Sequence, residues 1–147
     1  MRIRTIATIC VAGWLASLPA NAHHAFGAEF DADRPVLLTG KVTKVEWVNP
    51  HAWVHIDAVM EDGSIEAWMV EGGTPNTLFR AGITKKSLPP GTEIVVRGYQ
   101  SKDHACNPVC KANGRDLTFP DGRQLFMGSS GTGAPRDGSD PRERPRN

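Results

Sequence analysis

Two neighbouring segments of the sequence, residues 52–60 and 64–70, alternate between apolar and polar side chains. A period of two residues is typical of a β-strand that buries one face and exposes the other. Asp62-Gly63 lies between the two segments, and an Asp-Gly pair favours a tight hairpin turn. The fold is therefore expected to be built around an antiparallel β-hairpin.

Further strands are predicted on both sides of this hairpin. Residues 37–47 and 92–99 are rich in Val, Thr, Ile and Leu, and 115–119 and 124–127 form two shorter segments of the same kind. The first segment contains Gly40, and an isolated glycine within a strand indicates a bulge or a sharp bend.

One short helix is predicted between the third and fourth strands. Thr74 is a favourable N-cap, Pro75 suits the first helical position, and Gly82 suits the end of a helix. Residues 71–73, Glu-Gly-Gly, are interpreted as the turn from strand to helix.

This order of elements matches the oligonucleotide/oligosaccharide-binding (OB) barrel, a five-stranded, partly open Greek-key fold. We therefore predict an all-β fold with one short helix, a small OB-fold-like Greek-key barrel. Another small β-barrel or a sandwich is the alternative.

The N-terminus has the features of a signal peptide. Arg2 and Arg4 precede an apolar segment at 6–18, and Ala20-Asn21-Ala22 fits an A-x-A cleavage site. The apolar segment is shorter than the ~20 residues that a membrane span requires. We expect cleavage after Ala22, a periplasmic or secreted mature protein, and no stable membrane anchor after cleavage.

The rest of the chain is predicted to be one domain, residues 23–127, followed by a disordered tail, residues 128–147, rich in Gly, Ser, Pro and charge. The 147-residue chain has a formal net charge of +1. Removing the two arginines of the signal peptide makes the charge of the mature chain −1. A near-neutral chain lacks the basic field that nucleic-acid binding needs, so nucleic acid is not expected as a partner.

Two cysteines, Cys106 and Cys110, remain after signal cleavage. In an oxidising compartment the expected state of such a pair is a disulfide. A redox-active thiol pair and a thiolate metal site are the alternatives. They are disfavoured because the spacing is C-x-x-x-C and a second ligand pair for zinc is absent from the sequence.

Several long stretches resemble a family of small exported bacterial proteins that carries only a domain-of-unknown-function label. The stretches are residues 23–26 (His-His-Ala-Phe), 40–53 (ending Val-Glu-Trp-Val-Asn-Pro-His-Ala-Trp), 68–73, 114–123 and 125–135 (Leu-Phe-Met-Gly-Ser-Ser-Gly-Thr-Gly-Ala-Pro). The resemblance implies export and a small β domain, and it implies no activity. The loop with Cys106 and Cys110 looks like a feature of a subgroup, and His104 is not expected in the shared pattern.

The histidines suggest a metal site. Cleavage after Ala22 would place His23 and His24 at a free N-terminus. In the predicted barrel, His51 and His104 lie in the two loops that border the usual ligand face. An N-terminal amine with imidazoles is a nitrogen-rich, near-planar donor set that favours Cu(II) or Ni(II). The sequence thus predicts a copper site of His23, His24 and His51, with His104 optional; a frayed N-terminus and a turn-capping His51 are the alternatives.

A second candidate site is an aromatic face formed by Trp53, His55 and Trp68. It would offer a stacking platform for a sugar, a flat small molecule or a partner surface. The alternative is that the tryptophans pack in the core or across strands, and that His55 is an exposed strand residue paired with a neighbour.

The sequence does not contain the common hydrolase, metalloprotease, phosphate-loop or dinucleotide motifs. We therefore expect a non-enzymatic, exported binding module, with copper as the candidate cofactor and a small ligand or an unknown exported protein as partner. The alternative is a structural or adaptor protein that docks another exported protein through its aromatic face, without a metal.

Overall fold

The computed structural model describes residues 26–128 of the chain. The predicted signal peptide, His23 and His24, and the predicted tail beyond Gly128 lie outside these residues. Two short helices and six strands make up the described part. They are α1 (Phe26–Glu29), β1 (Phe30–Glu46), β2 (Trp53–Val59), β3 (Ile65–Glu71), α2 (Pro75–Arg80), β4 (Glu93–Ser101), β5 (Cys110–Thr118) and β6 (Gln124–Phe126).

The strands form one sheet that closes on itself. Its order is β3-β2-β1-β4-β5-β6, and β3 also pairs with β5. The β3–β5 pairing is parallel, and the others are antiparallel. Strands β1 to β5 thus form a closed ring with α2 between β3 and β4, which confirms the predicted all-β class and the position of the helix. The short helix α1 is an addition to that prediction.

Strand β1 holds the ring together because it pairs with β2 on one side and β4 on the other. Gly40 is aligned with Ala58 of β2 and with Ile94 of β4. A Cβ atom at Gly40 would lie 2.1 Å from the carbonyl oxygen of Asp57, so only glycine allows the backbones to approach this closely. The register shift of the strand lies slightly further on, between Val42 and Lys44.

The alternation that predicted the hairpin is confirmed by burial in β2, but it gives the wrong face in β3, where Ile65 is 68% exposed and Trp68 and Val70 are buried. Val54, Ile56 and Ala58 are all buried inside the ring, whereas the odd-numbered residues of β2 are not. The turn also forms as predicted: Gly63 has a φ of 82°, and the side chain of Asp62 accepts a hydrogen bond from the Ser64 amide. The interior is filled by aliphatic residues from every strand of the ring, including Val42, Val70, Ile94, Val96 and Leu117.

The structure differs from the sequence prediction in the length of two strands. β1 begins at Phe30, which is aligned with Ser101 of β4, and residues 35–41 pair continuously with the same strand. β5 begins at Cys110, within a segment predicted to be a polar loop, because residues 110–113 pair in parallel with β3. Residues 112–117 are buried without alternation, so the sequence lacks the period of two that marks a half-exposed strand.

Helix α1 packs on the outside of the ring. The ring of Phe26 contacts Tyr99 of β4 edge-on, with 5.3 Å between the centroids, and lies 5.9 Å from that of Phe30. These three residues form a small second apolar cluster. The amide of Lys102 donates a hydrogen bond to the carbonyl of Glu29. Within residues 26–128, no helix has the length and apolar character needed to cross a membrane.

Candidate functional site

A row of outward side chains crosses four strands at one end of the ring. The strand registers align Trp53 of β2 with Glu71 of β3, Glu71 with Asn113 of β5, and Asn113 with Tyr99 of β4. Val54 and Val70 are buried in the interior, and successive side chains of a strand point to opposite faces. Trp53 and Glu71 therefore lie on the outer face.

Five residues form a group that we name the outer-face cluster: His51, Trp53, Glu71, Lys111 and Asn113. His51 belongs to the loop between β1 and β2, and the others belong to the three strands.

Glu71 is buried although it points away from the interior of the ring. It is 6% exposed. Its Oε1 lies 3.5 Å from Nδ1 of His51, and it accepts a hydrogen bond of 3.5 Å from the Asn113 amide group. Burial raises the pKa of Glu71 above its ordinary value, the charge of Glu29 raises it further, and the positive charges of His51 and Lys111 oppose this rise. The cluster thus holds a shielded carboxyl group.

His51 is held in a fixed orientation by the turn that follows β3. Its Nδ1 lies 3.2 Å from the carbonyl oxygen of Gly72, and a carbonyl can only accept, so the hydrogen is on Nδ1. The flanking backbone is also joined: the Gly72 amide donates to Ala52, and the Ala52 amide donates to Gly73. The other ring nitrogen, Nε2, has no partner within the described residues, and it carries the lone pair when the ring is neutral.

Lys111 links the cluster to α1. Its ammonium group forms an ion pair with Glu29 and lies 5.3 Å from the centroid of the Trp53 ring. An ammonium group over the face of a tryptophan is attracted by the ring. The last residue of α1 is therefore joined to the cluster.

His104 has different surroundings from His51. It lies in the loop between β4 and β5, as expected, with a φ of 50°, and its Nε2 is 3.8 Å from Asp31. The structure gives His51 and His104 different carboxylate partners, Glu71 and Asp31. Among residues 26–128, no group of three or more His, Cys, Asp or Glu side chains is arranged to hold a metal ion. Cys106 in the same loop and Cys110 at the start of β5 lie at disulfide-bonding distance, as predicted.

One residue of the predicted aromatic face, Trp68, is buried and does not lie on the surface. Trp68 is 3% exposed and belongs to the core, because it lies on the inward face of β3 beside Val70. Its indole nitrogen donates a hydrogen bond to Glu66. Trp68 therefore offers no surface for stacking, and Trp53 is the tryptophan of the predicted face that points outward.

His55 lies on the same outward face as Trp53 but is partly buried. Its Nε2 is 3.2 Å from Oε1 of Glu46, and its side chain is 15% exposed. Burial lowers the pKa of His55, the nearby Lys44 lowers it further, and Glu46 opposes both effects. His55 is therefore a half-buried strand residue beside Glu46.

Sequence reasoning missed Glu71, Lys111 and Asn113. The sequence pattern assigns Glu71 to a turn and leaves the other two outside the predicted strands. A closed ring of five strands in this order requires β3 to lie beside β5. Extending β5 back to meet β3 would have placed Lys111 beside Met69, and Asn113 beside Glu71, as the structure does.

The fold and the cluster define a small all-β domain with a buried carboxyl group and an anchored histidine on its outer face. The chain belongs to a family of unknown function, DUF6152, whose model matches residues 12–109. The matched range includes His51, Trp53 and Glu71 and ends just before β5. Comparisons with curated proteins and with solved structures found no match.

Proposed function

We propose that the mature protein is an exported, non-enzymatic module that binds Cu(II) through His23, His24 and His51. The observation that supports this most is the orientation of His51. Its Nδ1–H is bound to the carbonyl of Gly72, which leaves Nε2 to donate its lone pair. Metal-binding histidines commonly show this arrangement, in which one ring nitrogen is fixed by a carbonyl or carboxylate and the other binds the metal.

The path of the chain supports a contribution from the N-terminal histidines. Phe26 packs on Tyr99, which is two strands away from Glu71 in the ring, a separation of about 10 Å. His24 and His23 precede Phe26 by two and three residues, and three residues of chain span up to about 10 Å. The length of the segment thus matches the distance to the outer-face cluster.

The donor set supports copper as the metal. The N-terminal amine and three imidazoles would supply nitrogen ligands, which suit Cu(II) in a near-planar arrangement. The carboxyl group of Glu71, 3.5 Å from His51, would add a negative charge beside the bound cation. His104 is an optional fourth imidazole, and its contact with Asp31 makes it the weakest member of the set.

The proposal includes export and cleavage after Ala22, because the free amine of His23 exists only in the processed protein. The proposed site has two halves. Residues 23–26 (His-His-Ala-Phe) supply the first, and residues 49–53 (Asn-Pro-His-Ala-Trp) supply the second. Phe26 anchors the first half and Gly72 fixes the second.

The experiment is a Cu(II) affinity measurement on the mature protein, by competition with a chelator of known affinity. His51→Ala is expected to weaken binding about tenfold or more, because it removes a fixed ligand. His104→Ala is the matched control and is expected to change it little. Acetylating the N-terminal amine should weaken binding as His51→Ala does. Affinity weaker than micromolar, or equal affinity in the His51→Ala variant, would contradict the proposal.

A second candidate function is an adaptor that docks another exported protein without a metal. The outward position of Trp53, with Lys111 over its ring, favours this alternative. It predicts that Trp53→Ala abolishes capture of the partner while His51→Ala does not. The copper proposal predicts instead that His51→Ala weakens Cu(II) binding more than Trp53→Ala does.

A further inference from the structure

A groove of about 650 Å³ lies along helix α2 and shares no residue with the outer-face cluster. We name it the α2 groove. Its lining includes Trp47, Pro75, Phe79, Ile83, Lys85 and Lys86. Its volume falls within the range of about 300–1,000 Å³ that is usual for small-molecule sites.

The wall formed by α2 is unusually apolar for a surface. Phe79 is 69% exposed, because Leu78, its neighbour in the helix, takes the position that faces the core. Pro75 precedes it in the same helix, and Ile83 follows. An aromatic ring left in water next to a groove marks a surface that gains free energy when an apolar group covers it.

Trp47, in the lining of the same groove, carries a hydrogen-bond donor that has no acceptor in the described part of the chain. The ring of Trp47 packs partly against the core, and its Nε1–H is buried without a hydrogen-bond partner in the described part of the chain. A buried donor without an acceptor costs free energy. A bound molecule that offers an oxygen atom to this N–H would satisfy the donor.

The charged side chains at the edge of the groove are both positive. Lys85 and Lys86 are exposed and form no ion pair within the described residues, and the groove has no acidic side chain in its lining. An apolar floor with two lysines at its edge is complementary to a molecule with an apolar body and a negative end.

We propose that the α2 groove binds a small amphiphilic monoanion, a carboxylate carried on an apolar chain or ring. The apolar part lies against Pro75 and Phe79, and the carboxylate lies toward the Trp47 Nε1–H and the two lysines, Lys85 and Lys86. This site is separate from the copper site, and the proposal does not depend on it.

The test is a calorimetric titration of the mature protein with decanoate, kept below its micelle concentration, with 1-decanol as the uncharged comparison. Decanoate is expected to bind saturably at one site and to bind more tightly than 1-decanol. Replacing both lysines, Lys85→Gln with Lys86→Gln, should weaken decanoate about five- to tenfold, because two exposed ion pairs are lost. Lys41→Gln, an exposed lysine on another face, is the matched control and should bind as the wild type does.

Two variants test the walls of the groove. Phe79→Ala is expected to fold normally, since the ring is exposed, and to weaken both decanoate and 1-decanol. Trp47→Phe keeps an aromatic ring and removes the donor, so it should weaken decanoate more than 1-decanol. His51→Ala should leave decanoate binding unchanged.

Three outcomes would overturn the proposal. The first is a lack of saturable decanoate binding, and the second is binding that the lysine variant leaves unchanged. The third is a dimer in sedimentation that Phe79→Ala dissociates and decanoate does not, which would assign the groove to a second copy of the chain.

Discussion

The carboxylate of Glu71 lies 3.5 Å from Nδ1 of His51, and the same nitrogen lies 3.2 Å from the carbonyl of Gly72. The two residues come from different parts of the chain, the loop after β1 and the end of β3. The Gly72 carbonyl fixes the imidazole at the edge of the outer-face cluster, and the Glu71 carboxyl group adjoins the same nitrogen. The copper proposal depends on the contact with Gly72 because it determines which ring nitrogen is free.

Glu71→Gln is expected to weaken Cu(II) binding about tenfold, because it replaces the carboxyl group beside Nδ1 of His51 with a neutral amide. The amide keeps the shape of the side chain, so the fold should persist. Glu46→Gln changes a carboxylate that contacts His55 instead and serves as the control. Equal affinities in the two variants would mean that Glu71 does not support the metal site.

Gly40→Ala is expected to destabilise the protein by about 3 kcal/mol, because the new Cβ would overlap a backbone oxygen. That oxygen belongs to Asp57 and would lie 2.1 Å away. Gly27→Ala in α1 is the control, because nothing lies within 4 Å of its Cβ position. Urea unfolding of the two variants should show a large loss in the first and little change in the second.

Trp68→Ala is expected to cost about 3–5 kcal/mol of stability, because it leaves a cavity in the core. Trp53→Ala should cost only about 1 kcal/mol, mainly from its contact with Lys111. Urea unfolding curves of both variants provide the comparison. Similar losses for the two would contradict their placement on opposite faces of the sheet.

Because of His55, we expect the folded protein to lose stability in mild acid. Burial lowers its pKa in the folded protein, so the unfolded chain takes up the proton first as the pH falls. Stability contributed by neutral His55 is therefore complete above the unfolded pKa of about 6.5 and is lost as the pH falls toward the folded value. His55→Gln should lose less stability than the wild type between about pH 7 and pH 5. A parallel decline of the two proteins would show that His55 is not the group responsible.

Local patterns predicted the parts of the fold that depend on neighbouring residues. The hairpin of β2 and β3 followed from alternation, and α2 followed from its cap, where the Thr74 side chain accepts a hydrogen bond from the Thr77 amide. Asn113 contacts Glu71 across 42 residues of sequence, through a parallel pairing that has no local signature. For that reason His51 could be proposed from the sequence, whereas its carboxylate partner could not.

The most direct test of the copper proposal is a nuclear magnetic resonance titration of the ¹⁵N-labelled mature protein with substoichiometric Cu(II). A paramagnetic ion bound at the outer-face cluster should broaden the amide signals of His51, Ala52, Glu71 and Gly72 first, together with those of the N-terminal residues. Broadening confined to the residues before Phe26 would mean that the free N-terminus binds copper by itself, and it would contradict the proposed site.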